Sequence, residues 1–277
     1  MGRIGSKVYN LINLFKSEKK VPIIQTVPES ELLKGKTALI TGGSGGIGMA
    51  IARQFLDAGA NVIITGTNSE KLEKCVKELG GEKIKSMLLN VAKVSSFEAK
   101  VNEASLFFDG MIDILVNCAG VITKSHFFEM NEDEYDRVMD INAKGTFFMC
   151  QAVSKLMIAK KIKGHILNLS SASAVRPASS PYHMSKWAIR GLTIGLADIL
   201  LPEGIVVNAI GPGPTATSML GKDDDKAIYH GTNPSKRYAL PEEIAALALF
   251  MVSGKGDMIV GDTFYITGGG GITSLHN

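Results

Sequence analysis

From Lys36 onward one unit recurs: a short β-branched apolar run, a turn, then a stretch with apolar positions at helical spacing. The runs at 37–41, 62–65, 84–89, 112–117, 165–169, 205–210 and 263–267 predict seven strands. Helices are predicted near 46–58, 69–79, 95–108, 132–160, 182–200 and 241–252. The strand runs alternate little between apolar and polar residues. Such strands are buried on both faces, as in a parallel sheet covered by helices. Right-handed crossovers then give one doubly wound, Rossmann-type α/β domain with a seven-stranded parallel sheet and helices on both faces. Ligands are expected beyond the carboxyl ends of the strands.

Residues 1–34 break this pattern. Ile4, Val8, Leu11, Ile12 and Phe15 form one stripe of a short amphipathic helix, followed by Lys16, Lys19 and Lys20, and Pro22 and Pro28 prevent its continuation. Asn10 and Asn13 interrupt what a secretory signal would need as its apolar core. The expected organisation is an N-terminal arm over 1–34 and one α/β domain over 35–277. Docking of the arm on its own or a neighbouring subunit is preferred over contact with a membrane surface.

Composition narrows the class. The chain has 277 residues, 45% of them apolar and 21% charged, which is ordinary for a globular protein and excludes wholesale disorder. Net charge is +3, and the basic excess lies in the arm, so nucleic-acid binding is not expected. The three cysteines, Cys75, Cys118 and Cys150, are widely spaced, with no CxxC and no clustered histidines. That pattern writes neither a disulfide framework nor a metal site, and it fits a cytoplasmic compartment. No apolar run approaches the ~20 residues of a membrane span.

Two segments carry candidate chemistry. Strand 37–41 runs into Thr41-Gly42-Gly43-Ser44-Gly45-Gly46-Ile47-Gly48, and a helix starts at once. Glycines allow the tight turn and the approach of a pyrophosphate, which a helix N-terminus then binds. The second strand ends Thr65-Gly66-Thr67-Asn68-Ser69 without the acid that would hold the ribose 2′-hydroxyl of NAD. Thr67, Asn68 and Ser69, with Lys71 near, favour NADP(H), with NAD(H) as the alternative.

In the second segment, Tyr182 and Lys186 stand four apart at the start of a helix, so both lie on one face. A phenol titrates near 10, and a neighbouring ammonium is expected to favour the phenolate and make it a workable acid or base. Asn168-Leu169-Ser170-Ser171 ends the preceding strand, Asn117-Cys118-Ala119-Gly120 ends another, and Asn142 lies in the helix between them.

With these motifs in this order, residues 35–272 resemble the short-chain dehydrogenase/reductase family, in its compact single-domain branch. The motifs are Thr41–Gly48, Asn117–Gly120, Asn142, Ser170-Ser171, Tyr182-x-x-x-Lys186 and Asn208–Thr215. The resemblance implies an oxidoreductase that interconverts a ketone and a secondary alcohol by hydride transfer to or from a nicotinamide cofactor. Its catalytic residues would be Asn142, Ser171, Tyr182 and Lys186, of which Tyr182 and Lys186 would also contact the cofactor. Tyr182 would be the general acid or base, Lys186 would hold the nicotinamide ribose and lower the phenol's pKa, and Ser171 would bond the substrate oxygen. Asn142 would hold a water. The cofactor would lie along Gly42, Ser44, Gly46, Ile47 and Gly48, then Thr67 and Asn68. It would also meet Asn90 and Val91 at the adenine and Ala119 and Gly120 at the ribose, while Asn117 would stabilise the central sheet and pass near the cofactor. Pro212, Gly213 and Thr215 would flank the nicotinamide. Asn90 stands where the family usually has aspartate.

Ser171 precedes Tyr182 by a loop about two residues shorter than the family leads one to expect, so Ser170 and Ser173 remain alternatives to it. Arg176 and His183 are nearby candidates for an anionic substrate. A lid is expected over about 213–240, with Met219, Leu220, Ile228 and Tyr229 facing substrate and the acidic run within 221–226 facing water. The helices near 132–160 and 182–200 carry apolar residues on more than one face (Phe147, Phe148 and Met149; Ile189, Leu192, Ile194 and Leu196), and what is surplus to covering the sheet predicts a homodimer or homotetramer, with residues 268–271 at a subunit contact. Among substrates the resemblance leans to 3-oxoacyl groups. The competing reading is a cofactor-binding scaffold or sensor without catalysis.

Overall fold

The computed structural model describes residues 26–217 and 228–270. The amphipathic stripe of the arm, the lid residues Met219 and Leu220, the acidic run and Gly271 lie outside the described residues. The seven strands are β1 Thr37–Thr41, β2 Asn61–Gly66, β3 Ile84–Leu88, β4 Ile114–Asn117, β5 His165–Leu169, β6 Val206–Pro212 and β7 Thr263–Ile266. They form one sheet in the order β3-β2-β1-β4-β5-β6-β7, and every neighbouring pair is parallel. The order reverses between β1 and β4, which opens a crevice at their carboxyl ends.

The strand sequences explain the two-sided burial. Along β1, Ala38 and Ile40 face one core while Leu39 faces the other; Val62 and Ile64 against Ile63, and Ile114 and Val116 against Leu115, repeat the split. Helices α1 Gly46–Asp57, α2 Ser69–Leu79 and α7 Pro241–Val252 cover the first face. Helices α3 Phe97–Ser105, α5 Gly145–Ala159 and α6 Pro181–Leu200 cover the second.

One expectation needs correction. The helix predicted over 132–160 is two helices, α4 Glu132–Met139 and α5, joined by a π-helical turn at Asp140–Lys144. In such a turn the N–H of Gly145 reaches back five residues, to the carbonyl of Asp140. The extra residue does not disturb the apolar spacing enough to be seen in sequence. Likewise, the stretch at 95–108 is helical only over α3, after a 3-10 turn at Val94–Ser96.

The described residues of the segment 213–240 are paired at its two ends. Thr215 bridges Ala239 and Tyr229 bridges Arg237, and Arg237 makes a bidentate ion pair with Glu243 at 2.7 Å per contact. Tyr229 is 71% exposed and does not line the cleft described below.

Candidate active site

The glycine turn forms because two positions admit no side chain. Gly42 has φ +66°, and a Cβ there would stand 2.7 Å from the Cα of Ala119; one on Gly46 would stand 2.8 Å from the Thr217 methyl group. The N-cap of α1 is Gly45, and no side chain caps that helix end. Its N–H groups therefore face the cleft with the positive end of the helix dipole. Thr41 closes the base of the turn: its hydroxyl accepts from the N–H of Cys118 and of Ala119, both at 3.2 Å.

A cleft of about 660 Å³ opens over this turn. Gly42, Ser44, Gly46, Ile47 and Gly48 line it, with Thr67, Asn90, Val91, Ala119 and Gly120. A volume in this range suits a nucleotide, and the uncapped N–H groups at the start of α1, which border it, fit a pyrophosphate. The end of β2 presents Thr67 and Lys71 and no carboxylate. Sequence reasoning did not anticipate Val121, Ile122, Lys124, Arg137, Ile141 and Thr217, which also line the cleft. No motif contains them; the loop after β4 brings Val121, Ile122 and Lys124 there, the last turn of α4 brings Arg137, the π-helical turn Ile141, and the segment after β6 Thr217.

Some candidates stand elsewhere. Asn68 caps α2, its side-chain oxygen accepting from the N–H of Lys71 at 2.8 Å, and it is not part of the cleft wall. Asn117 turns its amide into the sheet, donating to Asn168 at 2.9 Å and to the Cys150 sulfur at 3.1 Å. Asn168 passes the contact on to Thr193 of α6, so four buried polar side chains bond to one another beneath the cleft. Pro212 and Gly213 continue β6, with the Gly213 N–H on Ile266 O, and the Thr215 hydroxyl donates to Gly213 O at 3.0 Å. None of these three is in the cleft wall.

Ser171, Tyr182 and Lys186 converge at the carboxyl end of β5. Ser180 caps α6 with Pro181 in its first turn, which places Tyr182 and Lys186 one turn apart on the inner face. The His183 ring meets the Ser180 hydroxyl at 2.7 Å, so it is engaged at the cap. The Lys186 ammonium donates to Leu169 O at 2.8 Å and lies 5.7 Å from the centroid of the Tyr182 ring. A Cβ on Gly120 would be 3.7 Å from that ammonium, so the lysine reaches the edge of the cleft. Among the three serines, Ser170 gives its hydroxyl to Lys186 O at 3.0 Å. Ser171 caps the 3-10 turn Ala172–Val175 and bonds the Tyr182 phenol. The geometry therefore separates Ser171 from Ser170. The short loop to Tyr182 is pinned onto α6, with Trp187 donating to Arg176 O at 2.9 Å and Arg190 to Ala174 O at 3.4 Å.

Electrostatics corrects one expectation. Burial pushes the Tyr182 phenol up from its ordinary value, and only hydrogen bonding with Ser171 opposes it. The same burial lowers Lys186 to about 8. The ammonium was expected to draw the phenol down; its distance and its bond to Leu169 leave desolvation in control. Cys118, in the cleft wall, is pushed up to about 12 by burial, so its thiol stays protonated.

Asn142 is fully buried within the π-helical turn. Its side chain accepts from Val121 N at 2.8 Å and donates to Val121 O at 2.9 Å and to Ser185 at 3.1 Å. Its own carbonyl accepts from the Thr146 hydroxyl at 2.7 Å.

The sequence matches the family described as short chain dehydrogenase over residues 36–227. It is 36% identical over 241 residues to the 3-oxoacyl-(acyl-carrier-protein) reductase FabG of Rickettsia bellii, covering 86% of this chain and 97% of the relative. To the oxidoreductase UcpA of Salmonella typhimurium it is 38% identical over 255 residues, covering 86% and 95%. The crystal structure of the 3-oxoacyl-(acyl-carrier protein) reductase from Brucella melitensis superposes with a TM-score of 0.77 at 30% identity, covering 91% of this chain and 99% of that one.

Proposed function

Because the chain belongs to the short-chain dehydrogenase family and is an oxidoreductase of that family, we propose that it reduces 3-oxoacyl groups with NADPH. The observation that carries this reading is the convergence of Ser171, Tyr182 and Lys186 beside Gly120, where a buried acid–base group meets the wall of a nucleotide-sized cleft. The names of the two 3-oxoacyl reductases above support the substrate class.

The glycine turn and the uncapped start of α1 would hold the pyrophosphate, Asn90 and Val91 the adenine, and Ala119 and Gly120 a ribose. Thr67 and Lys71 would meet a 2′-phosphate, which no carboxylate opposes there. When bound, the nicotinamide supplies the hydride. The chain's own part is positioning and proton management. The Ser171 hydroxyl holds the carbonyl oxygen as charge develops on it, and Tyr182 delivers the proton. Lys186 would bond the ribose hydroxyls and holds a positive charge near the phenol. Asn142 holds the loop that carries Val121 and, with it, a water leading to bulk solvent.

Among the described residues no helix is long and apolar enough to cross a membrane, and we place the enzyme in the cytoplasm as a homodimer or homotetramer. Exposed Phe147 and Ile194, at 43% and 55%, supply apolar surface for such contacts. The deciding experiment is an absorbance assay at the nicotinamide band with 3-oxoacyl thioesters, a 3-oxosteroid and a sugar, each with NADPH and NADH. Turnover confined to the thioesters with NADPH is expected. Dinucleotide binding without turnover on any carbonyl would instead mean a sensor or scaffold.

A further inference from the structure

The segment after β4 has no regular secondary structure, yet it forms the wall of the cleft through Val121, Ile122 and Lys124. Its polar groups are bonded in sequence to side chains of one helical strip. Asn142 takes both the N–H and the carbonyl of Val121. The Arg137 guanidinium donates to Ile122 O at 3.1 Å. Glu134 accepts from the N–H groups of Lys124 and Ser125 and from the Ser125 hydroxyl. As the loop advances from 121 to 125 its partners step back from 142 to 137 to 134, so the loop runs antiparallel along the strip.

The strip depends on the π-helical turn. On an uninterrupted α-helix Glu134 and Arg137 share a face with residue 141, and residue 142 falls about 100° away. The single extra residue at Asp140–Lys144 turns Asn142 back into line with the other two. The carboxylate end is the strongest grip: hydrogen bonds from Ser125 and Lys124 hold Glu134 below the usual carboxylate range. Arg137 lies 4.0 Å from that carboxylate and itself lines the cleft.

We propose that Glu134 is a positioning residue for the dinucleotide. Through Lys124 and Ser125 it straps the loop 121–125 to α4, so that the wall stands preformed and binding does not have to order it. This inference rests on the cofactor reading above.

The test compares wild type with Glu134→Gln and Ser125→Ala by hydrogen exchange of the free protein and by calorimetric titration with NADPH. Glu134→Gln should speed exchange of the Lys124 and Ser125 amides at least tenfold while the amides of Leu115 and Val116 in β4 keep their rates. Its NADPH dissociation constant should rise about tenfold, and Ser125→Ala should show the same pattern more weakly. Faster loop exchange with an unchanged dissociation constant overturns the proposal, as does weaker binding with unchanged loop exchange. If Glu134→Gln fails to fold, Ser125→Ala, which removes one hydroxyl, decides by the same two readouts. Wild type that binds neither NADPH nor NADH would instead remove the cofactor reading, and this inference with it.

Discussion

Lys186 and Tyr182 stand with ammonium and ring centroid 5.7 Å apart, and burial drives each toward its neutral form. The amine, at about 8 instead of 10.5, takes a proton more reluctantly in the folded protein than in the unfolded chain. Between those pH values the unfolded chain therefore binds the extra proton, and stability rises with pH across the window. Below about pH 8 the penalty is fully present. It corresponds to about 3 kcal/mol at ~1.4 kcal/mol per decade. In Lys186→Met this penalty is removed, whereas Leu169 O loses its partner at every pH. Urea unfolding of both proteins at pH 7.5 and pH 10.5 should find the variant's relative stability lower at the higher pH, by about 3 kcal/mol. A constant difference would mean that the amine is not desolvated in the folded state.

Tyr182→Phe keeps the buried ring and removes only the transferable proton. Turnover should fall by at least 10²–10⁴, the usual contribution of a positioned acid. Dinucleotide affinity should stay within a factor of about three, because the phenol holds neither the phosphates nor the adenine. Absorbance kinetics and calorimetry on the same sample measure the two. Turnover that survives the substitution would assign the proton to another group.

Much of this arrangement was legible in the chain. Seven strands and their order of chemistry follow from apolar runs such as Ala38–Ile40 and Ile63–Ile64, since burial on both faces leaves its mark directly on composition. Tyr182 and Lys186 were legible because helical spacing alone sets their shared face. Other features depend on distances that sequence does not encode. Desolvation of Tyr182 comes from elements far apart in the chain, so its direction could not be read from the neighbouring lysine. The π-helical turn at Asp140–Lys144 has no residue signature. Asn68 has the right chemistry for a cofactor, but its side-chain oxygen is committed to a helix cap, whereas Asn117 ties β4 to β5 through Asn168 as its expected role in the sheet requires.

Cofactor choice turns on the end of β2. Thr67 lines the cleft there, as does Lys71 in the first turn of α2, with no acid between Thr65 and Ser69. Thr67→Asp would set a carboxylate where a 2′-phosphate is expected, and like charges brought together out of bulk water repel strongly. The dissociation constant for NADPH should rise at least tenfold, and that for NADH should fall or stay the same. Titration of both cofactors by calorimetry checks this. Equal weakening of the two would move the 2′-phosphate site away from Thr67.

Gly42 offers a sharper test of the turn itself. Its φ of +66° is disfavoured for a residue with a side chain, by about 1–2 kcal/mol. A Cβ would also stand 2.7 Å from the Cα of Ala119, a backbone atom that cannot rotate aside. Relief would require β1 and β4 to separate at their carboxyl ends, where Thr41 binds them through the N–H groups of Cys118 and Ala119. Gly42→Ala should therefore destabilise the protein by about 2 kcal/mol or more in urea unfolding, combining strain with overpacking. Because the displaced atoms belong to the cleft wall, NADPH affinity should fall in the same variant. Gly35 provides the control: its φ is +76° but nothing lies within 4 Å of its Cβ position. Gly35→Ala should thus show the conformational penalty of about 1 kcal/mol and keep its affinity for NADPH. If both variants lose the same stability and the same affinity, close approach of β4 to the turn is not what reserves position 42 for glycine.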